Sequence, residues 1–181
     1  ELPEFDIPVT YLQDRGALVD ILTQDWLFDY QPEAPGVLVL AQWLAVNVCV
    51  QADKKISDAR VQDYDAVITI GGAWNPIILR NDPPIIKFIT DARSEKLLIA
   101  SICHGPQVLI STKVFPADTL ATGVDDIRID LENAGFQFLD KPVVFDKDKR
   151  LVTCKGPDYL EEFCKEISKR LLEVKSKGSS I

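Results

Sequence analysis

Short apolar runs alternate with helical patterns along this chain of 181 residues, and that alternation limits the folds it can adopt. Asp65–Ile70 and Lys96–Ala100 are mostly apolar and are interpreted as buried strands. Each is followed by a turn and then by a helical pattern. Strands that alternate with helices predict an α/β fold, with a doubly wound, mostly parallel sheet that carries helices on both faces.

The remaining elements fit this scheme, with one exception late in the chain. Val143–Phe145 and Arg150–Cys154 flank a polar turn and so predict an antiparallel hairpin. Val37–Gln51 is rich in valine and is interpreted as one or two strands around a turn near Gln42. Helices are predicted over residues 2–15, 84–94, 125–134 and 157–174, further strands over 17–23 and 120–122, and an irregular segment over 26–36. One domain is predicted over 1–174, and the polar segment 175–181 is a flexible tail or the start of a linker.

The composition excludes several classes of function. With 46% hydrophobic and 27% charged residues the chain is ordinary globular protein, and its net charge is −8. Nucleic acid is not an expected partner, since no stretch gathers enough Lys and Arg to bind phosphates. No apolar run reaches membrane-spanning length and the acidic start lacks the features of a signal peptide, so we expect a cytoplasmic protein with no membrane partner. The four cysteines have no zinc-ribbon spacing, and neither a metal nor another cofactor is predicted.

Cys103 directly precedes His104, the only histidine of the chain. It follows a predicted strand and precedes a predicted helix, which is the geometry of a nucleophile elbow. The N-terminal amides and dipole of that helix stabilise a thiolate, so Cys103 is predicted to be a reactive thiol with a lowered pKa. The alternative is an inert buried thiol, which is the interpretation adopted for Cys49 and Cys164 in their apolar or amphipathic surroundings.

A second turn of interest follows the strand 65–70 at Gly71-Gly72, where open α/β sheets bind ligands. Glycine allows a close approach, and the amides of Gly72 and His104 could together form an oxyanion hole beside Cys103. Gly71 and Trp74 are predicted to line the same pocket, with packing between subunits as the alternative for Trp74.

Four stretches together resemble the PfpI/ThiJ superfamily along nearly the whole chain. They are Ile56-Ser57-Asp58 before Asp63–Val67, Gly71-Gly72, Ala100–Pro106 and Gly156-Pro157-Asp158. The histidine directly after the cysteine and the proline after Gly105 are similar to the PfpI-type intracellular peptidase branch. The resemblance implies a flavodoxin-like sandwich of the class I glutamine amidotransferase-like fold, and it groups Gly105 with the substrate-binding residues.

The resemblance also implies where acidic partners of the cysteine and histidine belong. In the family a carboxylic acid after the first strand contacts the cysteine, and Glu1 stands at the matching position, where it would exchange protons with the thiol. The first strand itself is missing from this chain, so we expect residues ahead of Glu1. PfpI-type peptidases orient the histidine with an acid from a neighbouring subunit, but Ile77 occupies that position here. A Cys103–Glu1 dyad is therefore favoured over a triad that includes His104, and a homodimer or larger homo-oligomer is expected.

These features predict a cysteine-dependent enzyme in which the Cys103 thiolate adds to a carbonyl group. Two chemistries stay open, namely glyoxalase or deglycase action on methylglyoxal-type aldehydes and hydrolysis of a peptide or amide. The alternative is a non-enzymatic oxidative-stress sensor or chaperone-like protein in which Cys103 is oxidised. A glutamine amidotransferase is excluded, because its triad needs a histidine downstream of the cysteine's own turn and none follows His104.

Overall fold

The centre of the fold is a four-stranded sheet, seen in a computed structural model that describes residues 2–30, 32–40 and 48–178. The strands are β1 Leu22–Thr23, β2 Val37–Leu40, β3 Val48–Gln51, β4 Lys54–Lys55, β5 Ala66–Thr69, β6 Leu98–Ile102, β7 Leu120–Ala121, β8 Gln137–Phe138, β9 Val143–Asp146 and β10 Leu151–Cys154. The central sheet has the order β5-β6-β10-β9, in which only the β10–β9 pair is antiparallel. The predicted late hairpin is therefore this pair, added to the edge of a parallel sheet.

Helices connect these strands and cover the sheet. They are α1 Leu2–Gln13, α2 Asp25–Phe28, α3 Asn75–Leu79, α4 Pro83–Ser94, α5 Pro106–Thr112, α6 Arg128–Asn133 and α7 Leu160–Gly178. Short 3-10 turns precede two of them, over Asp125–Ile127 and Pro157–Tyr159. None of the described helices is both long enough and apolar enough to cross a membrane.

Three segments differ from their sequence-based interpretation. The predicted strand 17–23 is reduced to β1, because Leu18 points fully into solvent and only Leu22 and Thr23 pair with a neighbouring strand, β4. The segment 26–36, interpreted as irregular, includes most of the single-turn helix α2. Val37–Gln51 does contain two antiparallel strands, β2 and β3, while the predicted turn at Gln42 lies outside the described residues. The helix α7 extends to Gly178, into the segment interpreted as a tail.

The hydrophobic core lies in two layers, one on each face of the central sheet. All five residues of β6 are buried, as expected of a strand covered on both sides. Ile99 faces a cluster that includes Phe88 of α4 and Leu109 of α5. Leu98, Ala100 and Ile102 face the opposite cluster, which α1 and α7 cover with Leu12, Leu160, Phe163 and Ile167. Successive side chains of a strand alternate between faces, so β6 supplies both layers.

The helix α1 contributes a buried glutamate, Glu4, to this part of the protein. Three residues of α1 spaced by four, Glu4, Pro8 and Leu12, are buried, so they form a single stripe along one face of the helix. Glu4 has no exposed surface. A buried carboxyl group requires hydrogen-bonding partners, and those of Glu4 lie at the ends of β5 and β6.

Candidate active site

Cys103 lies on a sharp turn between β6 and α5. Its φ angle is 60°, in the left-handed region that residues other than glycine rarely adopt. The helix begins immediately afterwards with Gly105 as N-cap and Pro106 in its first turn. The predicted strand-to-helix turn is thus present, and its backbone is strained.

Two glycines allow the turn to pack this tightly. A Cβ atom on Gly105 would lie 2.7 Å from Ser101 Oγ and from the carbonyl oxygen of Thr69. One on Gly71 would lie 2.7 Å from the Cβ atom of Cys103. Both positions therefore require glycine for lack of space. Gly71 and Gly105, which the sequence predicted to bind substrate, also allow the turn at Cys103 to pack closely against its neighbours.

The carboxyl group beside Cys103 belongs to Glu4. Its Oε2 atom accepts a hydrogen bond of 3.0 Å from the amide of Gly71, and its side chain also hydrogen-bonds the Cys103 thiol. Glu1, the residue predicted for this role, lies outside the described residues. The sequence carried a signal for Glu4, because it shares a helical stripe with Leu12, where an acidic residue is unexpected.

Cys103 is only 7% exposed, and this burial dominates the protonation of its thiol. Burial, followed by the charge of Glu4 and their hydrogen bond, raises the pKa of Cys103 to about 12, while the amides of Gly72 and His104 act in the opposite direction. The predicted lowering of this pKa by the helix is therefore wrong. Two groups that both lose protons on ionisation, placed in contact in a buried site, favour a state with one negative charge between them.

The amides of Gly72 and His104 both reach the Cys103 sulfur as hydrogen-bond donors. Gly72 has a φ angle of 83°, which turns its amide toward the end of β6 and would strain any other residue. Donors arranged around the sulfur also lie near any atom bonded to it. The structure thus brings together the two amides that the sequence predicted as an oxyanion hole.

The His104 side chain contacts its own neighbour and an acid from the same chain. Its Nδ1 atom lies 3.3 Å from Cys103 Sγ, and its Nε2 atom lies 3.8 Å from Asp126 Oδ2. Asp126 lies in the 3-10 turn Asp125–Ile127 that precedes α6. Ile77, at the position expected for an acid, is 46% exposed on α3.

Opposite charges follow β10, and an exposed aromatic ring lies shortly after Gly72. Lys155 follows β10 and forms ion pairs with Asp125 at 3.0 Å and Asp140 at 2.7 Å. The hydrogen bond to Asp140 is the main cause that raises the pKa of Lys155. Trp74 is 75% exposed at the start of α3, two residues beyond Gly72. In the part of the chain that the structure describes, no three His, Cys, Asp or Glu residues are grouped as ligands for a metal ion.

A parallel α/β sandwich with a cysteine on a strained elbow, beside a buried carboxyl group and two amides, defines a class of cysteine-centred flavodoxin-like proteins. The chain belongs to the DJ-1/PfpI family, whose family model matches residues 2–170. This confirms the resemblance and the fold that were inferred from the sequence.

Named relatives and solved structures agree with this assignment. The chain is 40% identical over 124 residues to general stress protein 18 of Bacillus subtilis, covering 68% of this chain and 70% of that protein. It is 41% identical over 117 residues to protein/nucleic acid deglycase 2 of Escherichia coli, covering 65% and 66%. Among solved structures, a two-domain protein of Anabaena variabilis with DJ-1/ThiJ/PfpI-like and ferritin-like domains superposes with a TM-score of 0.79 at 30% identity. That match covers 94% of this chain and 45% of the two-domain protein.

Proposed function

We propose that this protein is an enzyme in which Cys103 adds to the aldehyde carbon of a small α-oxoaldehyde, such as methylglyoxal, and converts it to the 2-hydroxy acid. The observation that carries the proposal is the buried Glu4 carboxyl group in contact with the Cys103 thiol. This chemistry needs a nucleophile and one group that moves a proton between adjacent carbons, and a single buried carboxyl group suffices for the second task. The relative named as a deglycase gives the proposal further support.

The first step uses the proton that the two groups share. In the reactive state the proton lies on Glu4, which removes the repulsion of its charge and leaves a hydrogen-bond donor to the sulfur. The thiolate adds to the aldehyde carbon, and the oxygen becomes negative as the carbon turns tetrahedral. The amides of Gly72 and His104 stabilise that charge. The alkoxide then takes the proton from Glu4, which gives a hemithioacetal and a Glu4 carboxylate.

The following steps return the enzyme to its starting state. The Glu4 carboxylate removes the hydrogen of the former aldehyde carbon as a proton, which leaves an enediolate. The hydroxyl proton of the enediolate moves to the neighbouring oxygen, and Glu4 then delivers its proton to the former ketone carbon. The product of this transfer is a thioester of the 2-hydroxy acid on Cys103. Water hydrolyses the thioester, so one aldehyde and one water give one hydroxy acid and regenerate the thiol. Burial of Glu4 keeps bulk water from competing for the transferred proton.

The experiment compares methylglyoxal, glyoxal and a fluorogenic peptide as substrates of the full chain. We expect lactate from methylglyoxal, no activity in Cys103→Ala, and a rate lowered by about 10²–10⁴ in Glu4→Gln. Glutamine keeps an oxygen for the amide of Gly71, so this variant removes the acid and retains the hydrogen bond. Glu95→Gln is the matched control, since Glu95 is exposed after α4, before the start of β6, and Cys103 follows the end of that strand. Lactate production by Cys103→Ala would refute the mechanism.

Peptide or amide hydrolysis is the second candidate, favoured by the contacts of His104 with Cys103 and Asp126. An imidazole held between a thiol and a carboxylate can protonate the leaving amine, which aldehyde chemistry does not require. The two candidates differ in their dependence on Asp126. Asp126→Asn is expected to leave lactate formation unchanged and to abolish any peptide hydrolysis, with the neighbouring Asp125→Asn as control. Stoichiometric loss of the thiol to peroxide, with no turnover of any substrate, would favour the oxidative-stress sensor instead.

Self-association and a cytoplasmic location are part of the proposal. Three exposed apolar side chains, Trp74, Ile77 and Ile78, lie together at the start of α3, next to Gly72. Such a group beside a site is the kind of surface that a second copy of the chain covers. Sedimentation equilibrium should show a dimer or larger species, and Ile78→Lys should shift it toward monomer. The free thiols of Cys103, Cys154 and Cys164 support a reducing compartment.

A further inference from the structure

A second free thiol, Cys154, lies at the end of the strand next to the elbow. Cys154 ends β10 and pairs in register with Ile102, the residue before Cys103. The amide of Cys103 donates a hydrogen bond of 2.9 Å to the carbonyl oxygen of Cys154. With standard bond lengths on either side, this bond holds the two Cα atoms within about 7 Å of each other. Disulfides span Cα separations of roughly 4.4–6.8 Å.

Both side chains also point to the same layer of the core. In a regular strand, Cys103 would face the side opposite to Ile102. Its left-handed backbone turns it back, so that Cys103, Ile102 and Cys154 all belong to the layer under α1 and α7. Cys154 has no exposed surface, and its sulfur donates to the carbonyl oxygen of Gly156. Chemistry at Cys154 therefore has to start from within the protein.

The electrostatic contacts of the thiols agree with this arrangement. Burial raises the pKa of Cys154 to about 12, and a backbone hydrogen bond with Gly156 acts in the opposite direction. The charges of Glu4, Cys103 and Cys164 add to the effect of burial. Cys164, on α7, is equally buried, and its pKa is raised by burial and lowered by Arg15. Cys103 and Cys164 both influence Cys154, and the backbone hydrogen bond from Cys103 to Cys154 distinguishes the two, since Cys164 lies on the helix α7.

We propose that Cys154 is a resolving thiol that forms a reversible disulfide with Cys103 after oxidation by a hydroperoxide. The Cys103 sulfur attacks one peroxide oxygen, the O–O bond breaks, and the products are a sulfenic acid and water or an alcohol. The Cys154 sulfur then displaces the hydroxyl group from Cys103, forming the S–S bond and releasing water with the Cys154 proton. The sulfur pair loses two electrons and the peroxide gains them. A dithiol reductant reverses the reaction, and Cys103 is spared oxidation to sulfinic acid. This inference does not depend on the proposed carbonyl chemistry.

Peptide mapping tests the proposal directly, because trypsin separates all four cysteines. Cys103 lies in peptide 97–113, Cys154 in 151–155, Cys164 in 156–165 and Cys49 in 16–54. The folded wild-type chain, treated with hydrogen peroxide and then alkylated without reduction, should give peptide 97–113 linked to 151–155. Dithiothreitol should release the two peptides. In Cys154→Ser the link should be absent and sulfinic acid should accumulate on peptide 97–113, whereas the matched variant Cys164→Ser should keep the link.

The wild-type map decides the proposal even if a variant folds poorly. Sulfinic acid on Cys103 without any 103–154 link would overturn it, as would a link to Cys164 or Cys49 in place of Cys154. A link that forms only between two chains, detected as a dimer on a non-reducing gel, would also overturn it. Equal rates of sulfinic acid formation in the wild type and Cys154→Ser, with both folded by circular dichroism, would show that Cys154 gives no protection.

Discussion

Gly71→Ala isolates the steric requirement of the site from its chemistry. The new Cβ atom would lie 2.7 Å from Cys103 Cβ, 2.8 Å from Glu4 Oε2 and 2.8 Å from the carbonyl oxygen of Ile102. Real Cβ atoms do not approach other atoms this closely, so something must move. The Ile102 carbonyl belongs to the central strand β6, which is paired on both sides. The displacement therefore falls on Glu4 and Cys103.

The expected change in the free energy of unfolding of Gly71→Ala follows from two opposing effects. Overpacking of a tight site costs about 1–3 kcal/mol of the free energy of unfolding. Replacing glycine by alanine also restricts the unfolded chain, which contributes about 0.4–1 kcal/mol in favour of folding. Gly156→Ala provides the control, because Gly156 has an extended backbone and no atom within 4 Å of a Cβ placed there. Both variants share the unfolded-state term, so the difference between them should be about 1–3 kcal/mol.

Urea denaturation gives the stability difference, and methylglyoxal turnover gives the functional one. A shift of about 1 Å between reacting groups costs on the order of 10²-fold in rate. We therefore expect Gly71→Ala to lose activity by roughly that factor while Gly156→Ala keeps it. If Gly71→Ala matches Gly156→Ala in both stability and turnover, the tight contact of Gly71 with Cys103 and Glu4 does not exist in solution.

Two further predictions concern stability. Burial raises the pKa of Cys154 from 9.0 to about 12, so above pH 9 the folded state keeps a proton that the unfolded state loses. The contribution of Cys154 to the free energy of unfolding is therefore present below pH 9 and is lost as the pH rises, by about 1 kcal/mol between pH 9 and pH 10. Urea unfolding at these two pH values should show a smaller loss in Cys154→Ser, and an equal loss would assign the effect to other groups. Ile167→Ala should cost about 2–5 kcal/mol, because Ile167 is fully buried between α7 and the sheet. Leu172→Ala on the same helix, where Leu172 is 66% exposed, should change the free energy of unfolding by less than about 0.5 kcal/mol.

The central strands and the elbow could be predicted because local sequence determines them. Leu98–Ile102 is apolar except for Ser101, and a strand covered on both sides needs no other signal. The change at Cys103-His104-Gly105-Pro106 from strand to helix is equally local, since proline favours the first turn of a helix. The prediction of a strand over 17–23 was wrong for most of its length because local sequence does not determine that segment. Its pairing depends on a distant partner, β4, which reaches only Leu22 and Thr23.

The partners of Cys103 were harder to predict because they come from distant parts of the chain. Glu4 is separated from the elbow by about half the sequence, and its burial depends on how α1 packs across the sheet. The pKa of Cys103 was predicted in the wrong direction for the same reason, since the helix dipole is visible in the sequence, whereas the burial of the thiol and the charge of Glu4 beside it depend on the packing of the fold. Asp126 approaches His104 through a turn that brings Asp125–Ile127 back to the elbow.

The left-handed backbone of Cys103 means that selection for folding and selection for chemistry oppose each other at this position. Glycine adopts this conformation without strain, so Cys103→Gly should unfold at higher urea concentration than Cys103→Ala, although both lack the thiol. A chain maintained only for its stability would drift toward glycine here. A cysteine on a strained turn is thus physical evidence, independent of any relative, that the thiol itself is there for what it does.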